Sequence, residues 1–134
     1  MKTARISTFA FLSAWLLIGA QALASDPLPE VREVVIGIGD AFVPGGFDSH
    51  SDAYVVVSGL FPNGCYRWKG ANVKHLDSLT HEIRSLASVS QGMCTMALIP
   101  FTQEVRLGEL SSGTHSLRFV SGDGTYLQKT MTVE

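Results

Sequence analysis

The chain has only two cysteines among its 134 residues, and neither has a second cysteine or a histidine nearby at metal-ligand spacing. That argues against the usual zinc sites. No Gly-x-Ser-x-Gly elbow is present, so the common serine-hydrolase signature is missing. There is no Asn-x-Ser/Thr acceptor for glycosylation, no internal repeat and no low-complexity tract. An excess of positive charge is also lacking, since ten Lys and Arg face twelve Asp and Glu. A mildly acidic chain of this kind is a poor partner for nucleic acid or for an anionic membrane.

What is present begins with a three-part leader. Lys2 and Arg5 form a positive start, Ile6 to Ile18 is apolar, and Ala22-Leu23-Ala24 offers small residues at the positions a signal peptidase reads. The reading is a signal peptide over 1–24 and a single domain over 25–134. The apolar run is too short for a good membrane span, so no stable membrane insertion is expected after cleavage. No cysteine stands at the cleavage site, which removes a lipid-anchored form. Loss of Lys2 and Arg5 takes the net charge from −2 to about −4. The expected location is periplasmic or secreted.

In an oxidising compartment a lone cysteine pair closes, so Cys65 and Cys94 are expected to form one disulfide. A loop of about 30 residues closed in this way stabilises by roughly 3–4 kcal/mol in the chain-entropy picture. Both cysteines follow turns, and each is expected near the start of a strand, with the two strands facing across the core.

Alternation of apolar and polar residues marks the strands. After an extended Pro-rich lead, Val31 to Ile38 is the first, with Val34, Ile36 and Ile38 on one face. A polar irregular stretch runs from Asp40 to Asp52. Ala53 to Leu60 is apolar on both faces, as a central strand would be. Phe61-Pro62-Asn63-Gly64 is a turn, and Cys65 to Leu76 follows with a break at Gly70. Leu79 to Val89 puts His81, Ile83 and Ala87 on one side. Met93 to Phe101 and Phe101 to Leu107 are read as further extended segments. Thr114 to Val120 faces Leu117 and Phe119 inward, and Ser121-Gly122-Asp123-Gly124 turns the chain into Tyr126 to Val133. Seven to eight short strands at this spacing predict an all-β fold: a single immunoglobulin-like antiparallel β-sandwich with one disulfide.

Val105-Arg106-Leu107-Gly108-Glu109-Leu110 followed by Gly113-Thr114-His115-Ser116-Leu117-Arg118-Phe119 resembles the penultimate hairpin of secreted bacterial immunoglobulin-like and fibronectin-like domains. In those domains an apolar strand leads through Leu-Gly-x-Leu and a short Gly turn into an aromatic-x-apolar strand. The resemblance implies architecture and no particular activity. His115 stands where such domains often carry Tyr. Trp68 lies between the cysteines, but only three residues after Cys65, too close for the antibody arrangement.

Four groups of residues are candidates for chemistry. His50, His75, His81 and His115 are possible metal ligands, and His75 and His81 converge if their strands form a hairpin around Asp77-Ser78. With Met93 and Met96 beside Cys94 they would make a soft copper or zinc site. The competing reading packs Met93 and Met96 into the core next to the disulfide. The acidic loop with Asp40, Asp48, His50 and Asp52 is a candidate binding loop, although it lacks the EF-hand order and a closing Glu. A Ser-His-Asp triad lacks the nucleophile elbow, and an enzyme of any kind would need a pocket lined by at least two of the histidines and a carboxylate. Tyr54, Phe61, Tyr66 and Trp68 are either an exposed platform for a protein or glycan, or core, which average aromatic burial favours. The function expected is an exported, non-catalytic binding or interaction module with no cofactor, acting on another exported protein or a glycan. The alternative is periplasmic copper or zinc handling through His75, His81, Met93 and Met96.

Overall fold

Alternating inward side chains give the chain eight strands, described here in a computed structural model covering residues 30–134. The signal segment 1–24 and most of the Pro-rich lead lie outside these residues. The strands are β1 (Arg32–Ile36), β2 (Asp40–Phe42), β3 (Asp52–Phe61), β4 (Tyr66–His75), β5 (Thr80–Val89), β6 (Ile99–Glu109), β7 (Gly113–Val120) and β8 (Tyr126–Val133). Among the described residues no helix is long and apolar enough to cross a membrane.

The strands form two sheets that close on one core. The smaller sheet has the order β2-β3-β6, and the larger joins β1, β4, β5, β7 and β8. β5 is the hub of the larger sheet. One flank pairs with β4 along its length, from Val89 opposite Tyr66 to His81 opposite His75. The other flank is shared: β1 takes Ser85–Val89 and β7 takes Thr80–Ile83. Five of the six strand pairings are antiparallel, and β5 with β7 is parallel. That one parallel pair arises because β6 lies in the other sheet, so the chain returns to β5 by a crossover.

Inward positions of both sheets fill the space between them. Val55 and Val57 from β3, Val105 and Leu107 from β6, Ile83 and Ala87 from β5, Leu117 and Phe119 from β7, and Met131 and Val133 from β8 are all buried. Phe61 stacks on Phe101 with ring centroids 4.5 Å apart, and Tyr66 and Trp68 lean on the same pair. Each such aromatic contact adds about 0.5–1.5 kcal/mol beyond its buried area. The core reading therefore holds for Phe61, Tyr66 and Trp68, while Tyr54 sits on the outer side of β3, half-buried against Phe47. Gly59 lies under this cluster, where an added Cβ would come within 2.8 Å of the Phe101 ring. Gly108, at φ +82°, carries the bulge where β6 slips register against Ala53 and Tyr54.

Two sequence expectations are corrected here. The first strand does not run unbroken from Val31 to Ile38: Gly37 and Gly39 bracket a break, and Asp40–Phe42 then pairs with β3 in the other sheet. Nor does a strand begin at Met93. The apolar run after Gly92 stays irregular, and β6 starts only at Ile99.

Candidate functional site

The β4–β5 hairpin, with ten residues in each strand, spans the sandwich and separates two places of interest. Its open end adjoins Cys65, and its turn carries His75 and His81. At about 3.3 Å per residue these ends stand roughly 30 Å apart.

At the first end, Cys65 and Cys94 are joined, with their Cα atoms 5.2 Å apart. Cys65 precedes β4 as expected, and its N–H donates to Asn63 Oδ1 at 2.9 Å. Cys94 does not open a strand. It sits half-buried in the irregular segment between β5 and β6, so the bond fastens a loop to a turn rather than one strand to another across the core. Backbone bonds reinforce the join: Gly64 N–H donates to the Thr95 carbonyl at 2.8 Å, and Ser90 N–H to the Cys65 carbonyl at 3.1 Å. Beside the disulfide lies a cleft of about 440 Å³ lined in part by Arg32, Asn63, Tyr66 and Gln91.

Met93, Met96 and Leu98 all project from this loop into solvent. The expectation that Met93 and Met96 pack the core beside the disulfide is therefore wrong. With no strand between Gly92 and Ile99, alternation places nothing inward there, and the disulfide holds the segment at the rim.

At the second end the histidines meet. His75 and His81 are directly opposed across the β4–β5 hairpin, with their Nδ1 atoms 2.6 Å apart. His81 Nε2 lies 2.7 Å from His115 Nδ1, and His115 Nε2 lies 2.6 Å from the Ser111 carbonyl. His81 and His115 are almost completely buried, at 1% and 0% exposure, and their rings stack 5.0 Å apart. His75 is exposed. Burial, followed by the neighbouring His75 and His115, lowers the His81 pKa to about 4, with Asp77 pulling weakly the other way.

A cleft of about 220 Å³ opens over this chain, lined by His75, Asp77, Ser78, His81, Glu109 and Ser111 among others. The Asp77 carboxylate accepts from Leu79 N–H at 2.8 Å, which holds its pKa below the usual carboxylate range. Two histidines and two carboxylates thus share one cleft. The rings, however, bond to one another and to a backbone carbonyl rather than to a hydroxyl or thiol that could act as nucleophile.

The arrangement also does not suit a shared metal. Nitrogens about a tetrahedral zinc stand about 3.3 Å apart at normal bond lengths, whereas 2.6 and 2.7 Å are hydrogen-bond separations. His81 spends its two nitrogens on opposite neighbours, so the rings lie in line. Met93 and Met96 are at the far end of the hairpin. Among the described residues no group of three or more His, Cys, Asp or Glu could hold a metal ion. The copper or zinc reading built on His75, His81, Met93 and Met96 is accordingly unsupported.

The acidic loop does not assemble a site either. Asp48 Oδ1 accepts from His50 N–H and from the Ser51 hydroxyl, both at 2.9 Å, and those donors hold its pKa low. Asp52 pairs with Arg106 at 2.6 Å, and Asp40 with Lys129 at 2.9 Å. Each carboxylate is occupied by a different partner.

The sequence pointed to His75 and His81 but missed His115 and Glu109 as their companions. A usable signal was present: His115 shares the inward face of β7 with Leu117 and Phe119, and a buried polar ring requires a partner.

Fold and site together define a disulfide-linked, all-β sandwich with a covalently tethered apolar loop at one end and a buried histidine chain at the other. Residues 55–133, more than half of the chain, match the ORF11 beta-sandwich domain, and the protein belongs to that family. The match runs from β3 to the end of β8 and contains both cysteines and the three linked histidines. The likeness to immunoglobulin-like and fibronectin-like domains holds at the level of a β-sandwich. No curated protein and no solved structure matches the chain.

Proposed function

We propose that this protein is an exported, non-catalytic interaction module that engages another exported protein through the loop between β5 and β6. The observation that carries this reading is the exposure of Met93, Met96 and Leu98 on a segment held at Cys94 and Thr95. A free apolar loop would lose entropy on binding, and one fastened at its middle loses less. Methionine side chains adapt to irregular partner surfaces. Leu60, opposite Pro100 on β6, is also exposed. The disulfide and the leader pattern Lys2–Ala24 are the support for export.

A photo-crosslinking residue at Met96 in the full chain, expressed in its native cell, tests this. One discrete adduct at Met96, absent from a control at Lys74 and lost in Met93→Asp/Leu98→Asp, is the expected result. Equal labelling at Met96 and Lys74, or no adduct at either, overturns the reading.

A further inference from the structure

The histidine chain lies across the shortest junction of the larger sheet. β5 and β7 pair through only four residue pairs, Thr80–Ile83 with Ser116–Phe119, supplemented by Ser116 N–H donating to the Leu79 carbonyl at 2.7 Å. By contrast β4 follows β5 along its whole length, and β8 pairs with β7 from Gly113 to Val120. The His81–His115 bond spans the β5–β7 seam, and the His75–His81 bond ties its inner flank to β4.

The proton positions follow from the bonding partners. The Ser111 carbonyl can only accept, so His115 donates from Nε2. Neutral His115 then has a bare Nδ1, which accepts from His81 Nε2–H. Neutral His81 in turn accepts at Nδ1 from His75 Nδ1–H. The only ring nitrogen left without a bond is His75 Nε2, at the exposed end. One added proton can sit there without breaking anything, in a cleft that Asp77 and Glu109 also line. A second proton has no such place. It would put N–H groups on both nitrogens of His81 or His115, and two N–H groups would then point at each other.

We infer that His75, His81 and His115 form an acid-operated latch on the β5–β7 seam, shut with no extra proton or one and released by the second. The other charged groups nearby do not cancel this. On the outer face Glu82 accepts from Arg84 Nε at 2.8 Å, with Lys74 of β4 and Arg118 of β7 at the register positions on either side of it. The lowered proton affinity of His81, set mainly by burial, delays the second proton until the medium is distinctly acidic. Release would free the facing backbone edges of β5 and β7 while both flanking hairpins stay paired.

Nitrogen-15 histidine NMR on the full chain at pH 7 reads the proton positions. His75 should be the Nδ1–H form, and His81 and His115 the Nε2–H form. Amide exchange, corrected for intrinsic rates, should then show the amides of Thr80–Ile83 and Ser116–Phe119 that cross the seam, Ser116 among them, losing at least about tenfold protection between pH 7 and pH 4.5, while the alternate amides bonded to β4 and β8 hold. Amides of Val55–Val57 should hold. His81→Leu removes the ring common to both ring-to-ring contacts, so no pair of N–H groups can be forced together, and it should keep the seam protected at pH 4.5; if that variant does not fold, the wild-type measurements decide alone. An Nε2–H form at His75, seam protection unchanged at pH 4.5, or simultaneous loss at Val55–Val57 each overturns the inference.

Discussion

At one end of the sandwich a single sulfur–sulfur bond joins Cys65 to Cys94 and leaves Met93, Met96 and Leu98 in water. At the other, three imidazoles and one carbonyl are linked by hydrogen bonds, and two of the rings lie inside the core. Each fastening gathers segments that the sheet ladders alone hold weakly. They differ in what undoes them: a reductant opens the first and is irrelevant to the second, whereas protons do the reverse. They differ also in what they leave on view. The covalent end can present apolar side chains because the bond does not depend on burying them. The histidine end must bury its rings, since water would compete for every bond in the chain.

The comparison is broken most severely by removing the disulfide. Cys65→Ser, Cys94→Ser and the double variant should each lose about 2–5 kcal/mol, nearly equally because the bond is one unit. Chemical unfolding under non-reducing conditions measures the loss, and limited proteolysis should show new cuts between Gln91 and Leu98. Two free thiols per denatured, unreduced chain would defeat this prediction outright.

Acid should act on the other end. Unfolded His81 takes a proton near pH 6.5, whereas folded His81 takes one only near about 4. Between those values the unfolded chain binds more protons, so lowering the pH favours unfolding. This contribution is complete above about pH 6.5 and is lost as the pH falls to about 4, a total of about 3 kcal/mol. Urea midpoints measured across that range in the oxidised protein and in Cys65→Ser/Cys94→Ser should fall in parallel if the two fastenings are independent.

The smallest effect sharpens the contrast. Met93→Ser/Met96→Ser should change stability by no more than about 0.5 kcal/mol, since neither side chain contributes to the core. A larger loss in thermal unfolding would mean that the loop supports the fold and is not merely displayed by it.

Much of this was legible from residue order alone, and the exceptions have physical causes. Alternation points Val55 and Val57 of β3, Ile83 and Ala87 of β5, Leu117 and Phe119 of β7, and Met131 and Val133 of β8 inward, a local signal that survives folding unchanged. Cys65 with Cys94 followed from there being only two cysteines and an exported pattern. The segment Met93–Leu98 misled because an apolar run signals burial only where a strand or helix supplies a direction, and here a tether keeps the run at the surface. The meeting of His81 with His115 depends on a parallel pairing between strands separated by all of β6. No local alternation encodes that crossover.

The two ring-to-ring bonds are nearly the same length, yet the chain does not form them at equal cost. His75 and His81 are 6 residues apart along the chain, whereas His81 and His115 are 34 apart. Closing the longer loop costs roughly 1.5 kcal/mol more in chain entropy. Of two contacts that look alike in space, the one across the seam is thus the later to assemble and the earlier to be surrendered. The histidine chain carries a built-in order of opening that its distances alone would not reveal.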